Sequence, residues 1–366
     1  MLSAQNIKDS KLTKNMTILL AGDIGGTKTI LCLVSSELKE GAKLPNREIL
    51  HQATFASQEF TDLVPMVRHF LTNAHGKLGE KLHPAKACFG IAGPVVKNRS
   101  NLTNLSWSLG GDRLQKELNI SQVDLINDFA AIGYGVLGLN PTDLHILQAG
   151  EVDTQAPICV IGAGTGLGEC FLTPSGNSYR VFSTEGGHTD FPARSKLEFQ
   201  LREYIREKYN LSRVSVERVI SGSGIVAIYQ FLRDKDPSEE SPEMAKTYAS
   251  WSGEIGKSEK TIDLAAIISA TAMTGNDYLC EQTMKIFIEA YGAEAGNVAV
   301  KFLPYGGFYI AGGIAAKILP LIEEHNFLKS FLEKGRVSLL LEHIPVYIVK
   351  NPEVGLIGAA LYAGRA

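Results

Sequence analysis

The sequence predicts an α/β protein built from two related domains, and three observations carry that prediction. An apolar run at Thr17 to Ala21, the turn Asp23-Ile24-Gly25-Gly26-Thr27-Lys28-Thr29 and a second apolar run at Ile30 to Val34 form a strand–turn–strand unit. A unit of the same style recurs at Ile158 to Ile161, Gly162-Ala163-Gly164-Thr165-Gly166-Leu167-Gly168 and Cys170 to Leu172. The interval is too long for a solenoid repeat and suits a duplicated α/β domain. Between and after these units, short apolar runs alternate with stretches of helical spacing.

In chain order, strands are expected at 17–23, 29–35 and 48–56. Leu63, Val64, Val67, Phe70, Leu71, Ala74 and Leu78 repeat at helical spacing within 60–78. Ala87 to Ala92 reads as a buried strand ending at Gly93-Pro94, and 123–126 as a short strand feeding an apolar helix at 129–137. The second half opens with the hairpin at 158–173, adds a strand near 179–182 and becomes helical at 196–209, 226–232, 261–272 and 277–295. Phe308 to Ala311 and Val346 to Val349 are strands; Gly312-Gly313 opens one helix and 355–363 forms a small-residue helix suited to tight packing. The polar stretch 234–260, with Pro237 and Pro242, reads as an exposed, mobile excursion.

The chain has 366 residues, 45% hydrophobic, and a net charge of −3. No bulk basic charge invites nucleic acid or an anionic membrane, and no apolar run reaches the ~18 residues that span a bilayer. The start, Met1 to Asn15, is polar and lacks a signal-peptide core. The five cysteines, Cys32, Cys88, Cys159, Cys170 and Cys280, are widely spaced and odd in number. They read as buried free thiols rather than a disulfide framework or zinc site, which points to a reducing, cytoplasmic compartment.

Several residues are candidates for chemistry. Glycine turns let a backbone approach phosphate closely and offer its amides as donors; two such turns suggest a nucleoside triphosphate held between the domains. Asp23, at a strand end beside Gly25 and Gly26, suits Mg²⁺, which takes one or two carboxylates and keeps several waters; it equally fits an ordinary hairpin turn. The 162–168 turn lies between two strands, so it matches neither a dinucleotide-binding strand–helix turn nor a P-loop ending in Gly-Lys-Ser/Thr. Asp128 follows a strand and precedes a helix, so it is either the helix N-cap or a general base. Glu185 and His188 flank two glycines, an acceptor and a donor/acceptor of the kind that binds sugar hydroxyls.

Eight segments in order resemble the bacterial glucokinase family, hexokinase-type kinases of the actin/Hsp70/hexokinase ATPase superfamily. They are Gly22 to Thr27, Ile91 to Val95, Leu102-Thr103-Asn104 with Trp107, Ile126 to Phe129, Gly162 to Gly168, Glu185 to His188, Glu217 to Gly222 and Ile310 to Ile314. The resemblance implies two ribonuclease-H-like (actin-like ATPase) domains, each a mixed sheet flanked by helices, with an interdomain cleft. The division expected is a polar extension 1–16, a small α/β domain 17–138 plus 346–366, and a large α+β domain 139–345. It implies transfer of the γ-phosphoryl group of ATP to the 6-hydroxyl of glucose, with Mg²⁺, by a cytoplasmic homodimer.

By the same resemblance Asp128 is the base, and Asn104, Asn127, Glu185, His188 and Glu217 join it as sugar ligands. Asp23 would organise Mg²⁺, through water; Gly25, Gly26, Thr27, Gly162, Gly164, Thr165 and Gly166 would hold phosphates, and Gly312 and Gly313 would lie against the adenosine. The Cys-rich zinc motif usual in related ROK sugar kinases is absent. Rival readings are a kinase for another hexose or N-acyl-hexosamine and a non-sugar ATPase of the same superfamily. The residues before the first strand cannot form a helix-turn-helix, and no arginine cluster greets an anionic substrate.

Overall fold

The computed structural model describes residues 16–37, 46–102, 104–257 and 261–365. Residues 1–15 of the expected 1–16 extension, Thr103 and positions 258–260 of the polar stretch lie outside the described residues, and Met16 already belongs to the first strand. The chain divides into two compact units, Met1–Gly138 with Glu353–Ala366, and Leu139–Pro352.

The first unit starts with three antiparallel strands, β1 (Met16–Ile24), β2 (Lys28–Glu37) and β3 (Asn46–Ala56). Leu19, Leu20 and Ala21 of β1 and Leu31, Cys32 and Leu33 of β2 are buried, as central strands covered on both faces require. Helix α1 (Leu63–Leu78) begins where the Asp62 carboxylate accepts from the Val64 amide and stops at Gly79, whose φ of 75° is left-handed. Its buried Leu63, Val64, Val67, Phe70 and Ala74 follow the expected spacing.

Then come β4 (Lys86–Ile91), β5 (Arg99–Leu102), β6 (Trp107–Gly110), α2 (Gly111–Leu118), β7 (Gln122–Asn127) and α3 (Asp128–Gly135). The main sheet runs β3-β2-β1-β4-β7, with β1, β4 and β7 parallel. The small β5–β6 sheet and α2 went unread in the sequence: the strands are four residues each, and α2 buries little besides Leu114.

The closing helix, Val354–Ala363, packs on α3. A Cβ at Gly358 would collide with the Ala131 carbonyl, and one at Gly135 with the Val354 carbonyl. Glycines on both sides thus let the two backbones touch.

The second unit contains β8 (Leu144–Gln148), β9 (Ile158–Ala163), β10 (Leu167–Ser175), β11 (Ser178–Thr184), α4 (Lys196–Lys208), α5 (Gly222–Lys235), α6 (Pro242–Ser252), α7 (Leu264–Ala272), α8 (Tyr278–Phe302), β12 (Phe308–Ala311), α9 (Gly313–Lys317) and β13 (Val346–Val349), with short helical turns between α9 and β13. Its sheet runs β11-β10-β9-β12-β13-β8. The first three strands are antiparallel, and β9, β12 and β13 are parallel. α8 is buried over most of its circumference, and the Tyr291 hydroxyl accepts from the Ala163 amide at 3.1 Å, tying the helix to β9.

Two expectations change. Val346–Val349 does not belong to the first unit: it pairs with β12, and the chain returns to the first unit at Glu353 rather than 346. A run of four apolar residues needs cover on both faces, which the position beside β12 supplies. The 234–260 stretch is not an irregular mobile excursion: 242–252 is helix, capped by the Ser241 hydroxyl on the Met244 amide, with Pro242 in its first turn and Met244 buried. Ser-Pro-Glu reads as loop chemistry, yet it is also a helix start.

Candidate active site

In the first unit the β1–β2 turn is held tightly. The Gly25 amide donates to the Lys28 carbonyl at 3.0 Å, and a Cβ at Gly25 would approach that oxygen to 2.8 Å. Ser57 pins the turn: its hydroxyl donates to the Gly25 carbonyl at 2.7 Å and its amide to the Thr27 carbonyl at 2.9 Å. Buried Thr29 pairs with the same hydroxyl at 2.9 Å. Ser57 was missed in the sequence because nothing local links it to a turn over thirty positions earlier. Asn104 lies on the turn, its Cβ 3.5 Å from where a Gly26 Cβ would stand. Asp23 ends β1 with a carboxyl that burial pushes up in pKa, against a lowering by nearby Lys28.

Asn127 and Asp128 share the start of α3, and the cap falls to Asn127, not Asp128. The Asn127 Oδ1 accepts from the amides of Phe129 (3.0 Å) and Ala130 (3.1 Å). Its Nδ2 donates to the Gly93 carbonyl (3.1 Å) and to Asp128 Oδ1 (2.9 Å), which also accepts from the Phe129 amide at 2.8 Å. Both amide hydrogens of Asn127 are therefore engaged. Asp128 Oδ2 has no hydrogen bond among the described residues. Burial, opposed by the Phe129 amide and reinforced by the charge of Asp23, pushes the Asp128 carboxyl up to about 6. It is a held carboxylate that takes a proton near neutrality.

In the second unit the β9–β10 turn is the other glycine turn, between strands as expected. The Gly164 amide donates to the Gly166 carbonyl (2.8 Å), and the Gly222 amide at the start of α5 donates to the Gly164 carbonyl (2.9 Å). Gly162 lies within β9 and is fully covered. Glu217 backs the turn: its carboxylate accepts from the Leu167 amide at 2.9 Å and fills the space a Gly166 side chain would need. Gly312 has φ 81°, and a Cβ there would come within 2.5 Å of the Ala163 carbonyl, so it must be glycine.

A cavity of about 980 Å³ opens in this unit, lined by Gly164 and Thr165, Gly222 and Ser223, and Gly313 and Lys317. Tyr209, Trp251, Ile262 and Leu264 add apolar surface. This is the size and mixed lining of a small-molecule site. The α5 N-terminus and Trp251 were not read as site residues. Ser221-Gly222-Ser223-Gly224 ahead of an apolar helical run was the available signal, since Ser221 caps α5 through the Gly224 amide; Trp251 was lost with the misread polar stretch.

Glu185 and His188 stand on the bend after β11, 3.9 Å apart and with side chains 76% and 58% exposed. Arg213 donates to the His188 carbonyl at 2.7 Å and holds the bend from outside. Among the described residues no cluster of three or more His, Cys, Asp or Glu could hold a metal ion, and no helix is long and apolar enough to cross a membrane.

The glucokinase family model matches residues 20–366. The chain belongs to the glucokinase family. It is 57% identical over 350 residues to a glucokinase of Trichormus variabilis, covering 96% of this chain and all of that one. A crystal structure of glucokinase from an Antarctic psychrotroph superposes with a TM-score of 0.78 at 30% identity, covering 97% of this chain and 100% of that one. A glucokinase from Balamuthia mandrillaris in complex with glucose shares the fold at TM-score 0.71 and 21% identity, over 96% and 94% of the two chains. As in these sugar kinases, the fold is the actin-like ATPase fold, and this member of the glucokinase family is a sugar phosphotransferase.

Proposed function

We propose that the chain transfers the γ-phosphoryl group of ATP to the 6-hydroxyl of glucose, with Asp128 as the base. The observation that carries this reading is the Asp128 carboxyl: one oxygen is fixed by Asn127 and the Phe129 amide, the other has no partner among the described residues, and its pKa of about 6 leaves it ionised at neutral pH. A positioned base contributes about 10²–10⁴ in rate.

Phosphoryl transfer is mainly positioning and charge neutralisation. The 162–168 turn, with Gly164 and Thr165 on the cavity, and the α5 N-terminus offer amides and hydroxyls to phosphates, and the Gly312-Gly313 bend lies beside them. The apolar lining at Trp251 and Leu264 suits a nucleobase. Gly25, Gly26 and Thr27 give the first unit a second amide-rich turn.

Asp23 fits a Mg²⁺ ion, because that ion needs few carboxylates when phosphates and waters complete its shell; when bound it would neutralise phosphate charge. Glu185 and His188, exposed on one bend, and Asn104 on the first turn are the sugar ligands of this reading. Glu217 also supports the phosphate turn, and Asn127, with its amide hydrogens engaged, acts on the sugar chiefly through Asp128. The protein works in the cytoplasm as a homodimer in this reading.

An assay of ADP release with ATP, Mg²⁺ and a panel of glucose, mannose, fructose and N-acetylmannosamine tests it. Glucose is expected to give the highest kcat/KM; a higher value for an N-acyl-hexosamine would replace the substrate, and sugar-independent ATP hydrolysis would replace the reaction.

A further inference from the structure

Glu169 lies on β10 and is 7% exposed, yet the catalytic reading makes no use of it. Its Oε2 occupies the space that a side chain at Gly186 would fill, directly behind the bend that carries Glu185 and His188. Its Oε1 is buried without a hydrogen-bond partner. The bend lies on this strand: Thr184 donates its hydroxyl to the Glu169 carbonyl at 3.2 Å and accepts from the Gly186 amide at 3.2 Å, and a Cβ at Gly187 would strike the Leu167 carbonyl.

Among the described residues, these groups face Glu169, besides Cys170 next to it on β10. From α8 come Glu294, 4% exposed, together with Lys301 and Tyr291; from β9 comes Cys159; from β11 comes Thr184. Glu294 is tied to Asn297 (2.9 Å), which Lys334 also contacts (2.9 Å), and it lines a cavity of about 430 Å³ with Lys301 and Lys334. A buried carboxyl facing a second buried carboxyl, with one oxygen unpartnered, holds its proton to higher pH than an exposed one.

We propose that Glu169 is a positioning residue: as a neutral acid it seats the 185–188 bend, and when it ionises it withdraws from Glu294 and lets the bend loosen. Burial and the Glu294 charge, opposed by Lys301, push its carboxyl up to about 7, so the change falls in the physiological range. The consequence rests on the sugar-binding role of Glu185 and His188. The KM for glucose should rise several-fold from pH 6 to pH 8.5, while kcat no more than about doubles as Asp128 loses its proton.

The test pairs a direct titration with kinetics. Carboxyl ¹³C NMR of glutamate-labelled protein should show one resonance titrating near neutrality that vanishes in Glu169→Gln. That variant, locked neutral, should keep the low KM across the range. Glu294→Gln removes the charge that Glu169 withdraws from, so the KM rise should flatten while the Glu169 resonance titrates at lower pH; it decides the matter alone if Glu169→Gln does not fold. Titration of Glu169 below pH 5, or a Glu169→Gln profile that follows the wild type, overturns the proposal. If Glu185→Gln leaves the KM for glucose unchanged, it is the sugar-bend reading that has failed, whatever Glu169 titrates at.

Discussion

The two units repeat one design and use it differently. In each, two antiparallel strands join by a glycine turn and the first continues into two parallel neighbours: β3-β2-β1-β4-β7 in one, β11-β10-β9-β12-β13 in the other. The turns diverge. The first follows a carboxylate, Asp23, and its sheet ends at the Asn127–Asp128 corner. The second is braced by Glu217 from behind and opens with Gly164 and Thr165 onto a cavity. One turn follows an acid and the other opens onto a cavity, so the same strand–turn–strand design carries different side chains in the two units.

The comparison breaks most visibly at Asp128. Asp128→Asn should lower kcat by about 10²–10⁴ with glucose still bound, as measured by steady-state kinetics and equilibrium glucose binding; near-normal turnover would leave the first unit without its base. The wild type should lose kcat/KM as pH falls through about 6, where the carboxyl takes up its proton. Stability moves oppositely. A carboxyl whose folded pKa is raised costs stability as pH rises from its unfolded value to its folded one, and the cost is complete above about 6. Asp128→Asn should therefore be more stable than wild type at pH 8, by up to about 3 kcal/mol, with the gain vanishing near pH 4.

Next in size is Gly312→Ala, which asks whether the second unit grips nucleotide. A left-handed φ and the Ala163 carbonyl both oppose a methyl group, and strain of roughly 1–3 kcal/mol should raise the KM for ATP about tenfold or more. Sugar binding measured without nucleotide should stay near wild type. An equal loss in both would mean that the whole β9–β12 sheet has shifted.

The repeated design was visible in the sequence because it rests on short-range signals: apolar runs of strand length, glycine turns between them, and helical spacing in α1 and α8. What escaped depends on distance. Ser57 pins Gly25 and Thr27 from across the sheet, and Glu169 reaches Gly186 only because β10 and β11 pair. The Asn127–Asp128 corner was half legible. A strand followed by Asn-Asp and a helix announces a cap, but only the backbone path decides which side chain turns inward, and Asn127 took the role. The Ser241-Pro242 helix start failed for a different reason: the same residues serve turns and first helical turns, and only the buried Met244 separates the two.

The smallest expected effect compares the turns directly. Thr27 and Thr165 occupy matching places, both exposed, after a glycine in each hairpin. Thr165 lines the cavity, so Thr165→Ala should remove one donor to phosphate. A net hydrogen bond of about 0.5–1.5 kcal/mol predicts a KM for ATP two- to tenfold higher, with the KM for glucose unchanged. Thr27 lies on the turn pinned by Ser57, whose amide uses the Thr27 carbonyl rather than its hydroxyl, so Thr27→Ala keeps the turn's shape. If the second unit is the main phosphate grip, Thr27→Ala changes the KM for ATP by less than Thr165→Ala in the same assay. Equal losses would mean that the two turns share the phosphates, and the acid-bearing copy would then be doing both jobs.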